Sequence, residues 1–466
     1  EDHYYGSLKR KVAAFMKELD SELWKYGIPS KTKHNEAAPA QHEIACIYRS
    51  VNITTDNNHL LMQLMQDIAQ KHGLRCLLHE KPFANVNGSG KHNNWSVTTN
   101  TGINLFKPTN DPLNNIPFLA TLACIVKGVD EYADLLRATV AIAGNDFRLG
   151  ANEAPPAIVS MFLGDEINRV IDSIINNEKI ELNKIRFNPG VSYFPDFSKD
   201  STDRNRTSPF AFTGNKFEFR MLGSASSISD TNVMLNTMVA DVFAEFADRL
   251  EKTEDFETEV NTIIKETMDE HKRIIFNGDG YSAEWEIEAE KRGLLNLRST
   301  VDAIPLLKTE INIELFTRHG VLSRTEINSR VDIILENYTK TLHIEAHTLI
   351  DMMNREVVPA ITAYSNVLCT AVLNKNSIGG ISSTVERELI ARLSAANKEI
   401  FSLTTELKMV VSSAEMTKDI IEKATAYHDI ILKLMADIRK YADSAESVVP
   451  SNYWPYPSYG ELLFNI

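Results

Sequence analysis

The spacing of apolar residues changes once along this chain, and the change demands two different kinds of packing. Between about residues 30 and 250, short strand-like runs (EIACIY, RCLLHE, NWSVTT, FEFRML) alternate with helical runs (DNNHLLMQLMQDIAQKHG, NIPFLATLACIVKGVDEYADLLRAT, SDTNVMLNTMVADVFAEFADRLEK). Gly, Asn and Pro fill the loops between them. Beyond about Arg324 the period is almost wholly helical. In ERELIARLSAANKEIFSLTTELKMV the apolar positions Leu389, Leu393, Ala396, Ile400, Leu403, Leu407 and Val410 advance by threes and fours. Ile420, Ala424, Tyr427, Ile431, Leu434, Ile438 and Tyr441 do the same, which predicts two antiparallel bundle helices joined near Ser412–Ser413. The glycines of NSIGGISS separate a preceding helix. The tail SNYWPYPSYGELLF reads as a proline-broken aromatic strap suited to docking on another surface. The expectation is an α+β protein: residues 1–325 form a mixed domain, 326–449 a helical bundle region and 450–466 an aromatic tail.

Charge narrows the partners. Against 49 Lys and Arg stand 63 Asp and Glu, a net charge of -14, so a broad nucleic-acid or anionic-membrane surface is not expected. Phosphate chemistry must then use a local basic site. No apolar run approaches the roughly 20 residues of a membrane span, and ATLACIV reads as a buried helix segment, so a cytoplasmic protein is expected. The cysteines at 46, 76, 124 and 369 show no CxxC pair or zinc spacing, which predicts reduced thiols filling the core. The chain opens without methionine or signal peptide and runs at once into an amphipathic helix from about Ser7 to Tyr26, as though from the middle of a domain.

Three segments carry chemistry. In NVNGSGKHNNWS, Gly88 and Gly90 allow backbone N–H groups to converge on an anion, Lys91 adds charge, and His92 can ligate a metal. The stretch does not fit a P-loop, because no Ser or Thr follows Lys91. In KHNEAAPAQHEIA, Pro39 excludes a central strand and implies two short strands joined at Ala38–Ala40, with Glu36 and Glu43 opposed. Facing carboxylates repel unless a cation lies between them. In NRTSPFAFTGNKFEFRM, strand alternation puts Lys216, Glu218 and Arg220 on one face and Phe217 and Phe219 on the other. A carboxylate between two cations suits the holding of metal-bound phosphate. Each segment taken alone also reads as ordinary surface: a turn, a solvated hairpin edge, an ion-paired strand.

Together and in this order, KHNEAAPAQHE, EKPFANVNGSGKHNNWS, NEAPPAI, DRNRTSPFAFTGNKFEFR and WPYPSYGELLF resemble the glutamine synthetase family, specifically its large type III branch. The resemblance spans nearly the whole chain. It implies a glutamine synthetase-like catalytic domain, an antiparallel sheet forming a half-barrel flanked by helices, followed by the helical region. It implies that ATP phosphorylates the side-chain carboxylate of glutamate and that ammonia then displaces phosphate, at a site with two or more divalent cations, Mg2+ or Mn2+. By the same resemblance, Glu36 and Glu43 ligate one cation and His92 and Glu218 another. Asn87, Gly88 and Arg148 hold substrate glutamate, with Arg220 beside them. Asn94, Ser96, Lys216 and Arg206 contact the nucleotide. Arg206 and Arg220 neutralise the transferring phosphoryl group, and Glu153, on the flap, takes a proton from ammonium.

Departures are visible too. Ala211 occupies a position where shorter family members carry a phosphate-binding arginine, and Asn152 one where a larger residue is expected. The family's Glu-x-Glu strand and N-terminal β-grasp domain have no counterpart in these 466 residues, so the chain is expected to be the C-terminal portion of a longer enzyme. A non-catalytic assembly subunit and a ligase for another amine are the alternatives. The resemblance also implies a homo-oligomer, a dodecamer of two stacked hexameric rings.

Overall fold

The computed structural model describes residues 2–109, 111–178, 186–187, 197–198 and 207–464. It separates into two compact units, Glu1–Asn328 and Ser329–Ile466, the division falling inside the helix Arg324–Met352.

In the first unit, β1 (Ser30–Asn35) and β2 (His42–Cys46) form an antiparallel hairpin. A four-stranded sheet follows, built from β3 (Gly90–Trp95), β4 (Met161–Phe162), β7 (Phe210–Phe212) and β8 (Phe217–Gly223) in the order β3-β8-β7-β4. The strands β5 (Arg186–Phe187) and β6 (Phe197–Ser198) make a separate two-residue ladder. β3, β8 and β7 are antiparallel as expected, but β4 joins β7 in parallel, so the sheet is mixed at that edge. A crossover containing the helix Asp165–Asn176 connects the two, which is what a parallel pair requires.

Alternation along β8 works as the sequence predicts at its start. Phe217 and Phe219 are buried against Phe210, with the Phe210 and Phe217 rings stacked at 4.8 Å, and Phe106 and Trp95 extend the aromatic layer. Such pairs contribute about 0.5–1.5 kcal/mol each beyond burial. The opposite face carries half-buried Lys216 and Glu218. Behind the sheet, the helix Ile116–Glu131 is apolar around most of its circumference because it packs on both Ser229–Leu250 and Phe256–His271. Leu19 and Leu23 of the helix Arg10–Lys25 meet Leu61 and Ile68 of Val51–Lys71. The expected strand RCLLHE is no strand. Its last residue, Glu80, is buried and committed to loops, its carboxylate accepting from the Ala225 N–H at 2.8 Å and its carbonyl from the Ser89 N–H at 2.8 Å.

In the second unit, the helix Arg324–Met352 continues through a π-helical segment, Met353–Val357, into Val358–Ile378. Gly379 and Gly380, both with positive φ, end it. Thr384–Glu415 then packs against Val358–Ile378 and against Leu432–Glu446. The predicted joint at Ser412–Ser413 lies inside a helix. Ser412 Oγ donates to the Lys408 carbonyl at 3.0 Å, a bond helices tolerate, and the chain turns only before Asp419, which caps Ile420–Ala426. The seam holds at Leu393, Ala396, Ile400 and Leu407, but Thr404 and Val411 are buried in place of Leu403 and Val410. A strict heptad drifts around a 3.6-residue helix in this way.

Two further expectations are corrected. Arg324–Ile378 is long and apolar enough, by length and composition, to cross a membrane, and only 28% of its most apolar 18-residue window is buried, although Ala360, Ile361, Leu368 and Val372 face the bundle. The thiols are free, but only Cys124 is fully in the core, and Cys369 is exposed. In the tail, Tyr453 packs its ring on Tyr364, 5.5 Å between centres, so part of the strap docks on its own unit.

Candidate active site

The β1–β2 hairpin turns through Ala40, at φ 57°, and its register pairs His34 with Glu43 and Asn35 with His42. Glu36 and Glu43 are therefore not ladder partners. They converge on His34, whose Nε2 is 3.0 Å from Glu36 Oε1 and 3.6 Å from Glu43 Oε2. One ligand atom from each of the three lies within 4.8 Å of the others. Two carboxylates and an imidazole, all partly accessible, are a fit donor set for a divalent cation. Sequence reasoning missed His34, although its place two residues before Glu36 on an alternating strand was a usable signal.

The second cluster forms across β3 and β8. Between Lys91 and Asn93 the register slips, leaving an extra residue on β8 opposite His92. Such a bulge re-aims a side chain. Here His92 Nδ1 lies 2.8 Å from Glu218 Oε1, while Arg220 donates from a guanidinium nitrogen to Glu218 Oε2 at 3.1 Å. Burial by itself would raise the Glu218 carboxyl, but the His92 contact and the Arg220 charge outweigh it and bring the group down to about 2. An ionised, half-buried carboxylate beside an accessible imidazole fits a cation as well. Along β3, Asn93 and Trp95 point into the core, which leaves His92 and Asn94 exposed on the outer face, with exposed Ser96 just beyond the strand. Lys216 lies in the bend just before β8, two residues ahead of Glu218. Arg220 is 3% exposed, and Arg206 lies outside the described residues. Ala211 is fully buried and brings no charge.

The glycine loop ties the carboxylate hairpin to the expected flap. Asn87 donates its amide to Glu153 Oε2 at 2.7 Å, and Gln41, from the β1–β2 turn, donates to the Asn87 carbonyl at 2.7 Å. Glu153 is exposed and sits in the left-handed region at φ 57°, a backbone state that a non-glycine residue holds only under constraint. Tyr281 lies beside it: burial and the Glu153 carboxylate raise its phenol. Neither Gln41 nor Tyr281 announces itself in the sequence.

Two side chains stand elsewhere than expected. Lys91 turns away from the glycine loop toward Asn58 Oδ1, at 3.0 Å, and the Ser226 carbonyl, and burial brings its ammonium down to about 8. Arg148 is 3% exposed and spends its guanidinium on Asn145 Oδ1 at 3.2 Å and on the carbonyls of Arg220, Met221 and Leu222 at 3.1–3.3 Å. It braces β8 from beneath. Gly88 and Gly90 make room for it: a Cβ at Gly90 would overlap the guanidinium, and one at Gly88 would lie 2.8 Å from the Glu80 carbonyl. Close approach, more than an anion nest, is what the glycines provide here.

A carboxylate hairpin and a mixed sheet, each presenting a cluster of cation-competent side chains, with the hairpin turn joined by hydrogen bonds to a flap glutamate, define an α+β catalytic domain. The family model described as "Glutamine synthetase, catalytic domain" matches residues 2–153, and "Glutamine synthetase C-terminal domain" matches residues 259–376. A glutamine synthetase of Butyrivibrio fibrisolvens is 45% identical over all of this chain and 67% of its own length. The type-3 glutamine synthetase of Dictyostelium discoideum is 42% identical over all of this chain and 64% of its own, and a glutamine synthetase of Bacteroides fragilis 40% over all and 65%. This chain belongs to the glutamine synthetase family. It spans about two thirds of the length of these relatives.

Proposed function

We propose that the protein ligates ammonia to the side-chain carboxylate of L-glutamate, with ATP converted to ADP and phosphate through γ-glutamyl phosphate. The observation that carries this reading is the hydrogen-bonded chain Gln41–Asn87–Glu153, which links the carboxylate hairpin to the flap, in a chain of this family. Glu36 and Glu43, now with His34, would hold one divalent cation, and His92 and Glu218 another. Bound Mg2+ or Mn2+, two or more per site, supplies positive charge to the phosphates of ATP. Asn94, Ser96 and Lys216 present polar groups to the nucleotide from the sheet face that carries His92 and Glu218. Asn87 and Gly88 position glutamate. Arg220 aligns Glu218 and, with Arg206, would neutralise the transferring phosphoryl group. Arg148 serves the substrate indirectly, as a buried charge under the Gly88–Gly90 loop. Glu153 accepts a proton from ammonium and shields the acyl phosphate from water.

The same reading makes the protein a cytoplasmic homo-oligomer, a dodecamer of two stacked hexamers, with no nucleic-acid or membrane partner. The test is His92→Ala in the native polypeptide that carries this chain. It is expected to abolish glutamate-dependent phosphoryl transfer from ATP while leaving the oligomer's mass unchanged, and full activity in that variant would remove His92 from the site. Glutamate-dependent phosphate release that is much faster with ammonium than with methylamine, with glutamine and not γ-glutamylmethylamide as the main product when both amines are present, separates this reading from a ligase for another amine.

A further inference from the structure

In the unit Ser329–Ile466, three ligating side chains converge that the proposed catalysis does not use. His343 and His347 stand one turn apart on the helix Arg324–Met352, ring centres 4.4 Å apart, and Glu415, the last residue of Thr384–Glu415, reaches them from a second helix. One ligand atom from each lies within 4.8 Å of the other two, and His343 Nε2 is 3.5 Å from Glu415 Oε1. Two histidines at i and i+4 share a helix face, so both imidazoles can address one point in front of it.

A chance surface cluster would leave these rings free to turn. His343 is not free: its Nδ1 lies 2.9 Å from the hydroxyl of Tyr427, a residue 2% exposed. With Nδ1–H donating to Tyr427 Oη, Nε2 keeps its lone pair on the side of Glu415, which is how outer-shell partners fix the ligating tautomer of a histidine. Burial, then the Glu415 carboxylate, pushes the Tyr427 phenol up to about 12, so it stays a neutral partner. Tyr427 also opens the π-helical segment Tyr427–Ile431, a distortion common at functional sites.

We propose that His343, His347 and Glu415 form a binding site for a divalent cation of the Zn2+ class, with Tyr427 orienting His343 and water completing the coordination. Imidazole-rich donor sets favour Zn2+ and its transition-metal neighbours over Mg2+. Zn–N and Zn–O bonds near 2.1 Å set ligand atoms roughly 3.4 Å apart in a tetrahedron. His343 and Glu415 are already at that spacing. His347 and Glu415 are exposed, and their side chains are free to close the remaining ångström or so. The bound ion would staple the end of one long helix to the middle of another.

The full chain, stripped by chelator and dialysed against Zn2+ alone, tests this by bound metal per chain and thermal midpoint. Wild type and His92→Ala should both retain a Zn2+ ion that His347→Ala and Glu415→Gln release at least tenfold more readily, and Zn2+ should raise the midpoint of the first pair more than that of the second. Tyr427→Phe, which keeps the ring in the core, should weaken the same ion without removing it. Equal Zn2+ retention by wild type, His347→Ala and Glu415→Gln would overturn the proposal, as would an ion that only His92→Ala loses. Circular dichroism of the metal-free variants, matching wild type, excludes misfolding as the cause of a loss.

Discussion

Lys91 shows how far a residue's neighbours can redirect it. In the sequence it stands beside two glycines and a histidine and reads as loop charge, yet its stem crosses the sheet edge and its amine is satisfied by Asn58 and Ser226. Burial holds its folded value at about 8, below the roughly 10.4 of an unfolded lysine. Below pH 8 both states are protonated and the folded one carries a buried charge. As pH climbs from 8 toward 10.4, the folded state sheds a proton that the unfolded state keeps, so this group's contribution to stability rises. Urea unfolding of wild type and Lys91→Met should therefore show a difference that moves in favour of wild type between pH 7.5 and 10; a difference independent of pH would contradict the burial argument. Residue chemistry at this scale was half legible. Glu36, Glu43, His92 and Glu218 declare themselves by type and motif. The directions of Lys91 and Arg148 depend on rotamers and on segments distant in sequence, which no local pattern encodes, whereas the convergence on His34 was signalled locally by its place on the hairpin.

Elements were more legible than residues, because a period of 3.6 or 2 integrates over many positions. The bundle helices, the Gly379–Gly380 break and the Phe217–Phe219 alternation follow from spacing alone. RCLLHE fails because an apolar run says nothing of where the backbone finds hydrogen-bond partners, and here the Glu80 carbonyl and carboxylate bind loops. The late turn after Glu415 reflects Ser412, whose hydroxyl can serve a helix or a cap. The flap is the element whose behaviour matters most. Asn87 and Glu153 hold it to the glycine loop by one hydrogen bond, with Glu153 in a left-handed conformation. If its carboxylate serves the ammonium step and shielding, Glu153→Ala should still hydrolyse ATP slowly in the presence of glutamate but make little glutamine. Equal loss of both activities, measured as phosphate release and glutamine formation in the same tube, would contradict that division.

At the scale of the molecule, the sequence anticipated a mixed domain followed by helices, and the structure divides at Asn328. It did not anticipate that the tail would rest in part on its own unit, through Tyr453 and Tyr364. Trp454 remains partly open, and so does most of the apolar window in Arg324–Ile378. We propose that these surfaces are covered on assembly. Truncation after Val449 should then lower the mass measured in solution from stacked rings toward single ones, and an unchanged mass and melting temperature would show that the tail has no such role. The sheet that carries His92 and Glu218 has a temporal consequence. β3 meets β8 only after the chain has closed a loop of more than a hundred residues, and Asn93 and Asn232, 139 positions apart, bond on the same edge. Pairings this remote in sequence form late and slowly. The cation cluster has no precursor in the unfolded chain, so a bound ion acts on the return journey: it retards unfolding and does nothing to hasten the search that first brings the strands together.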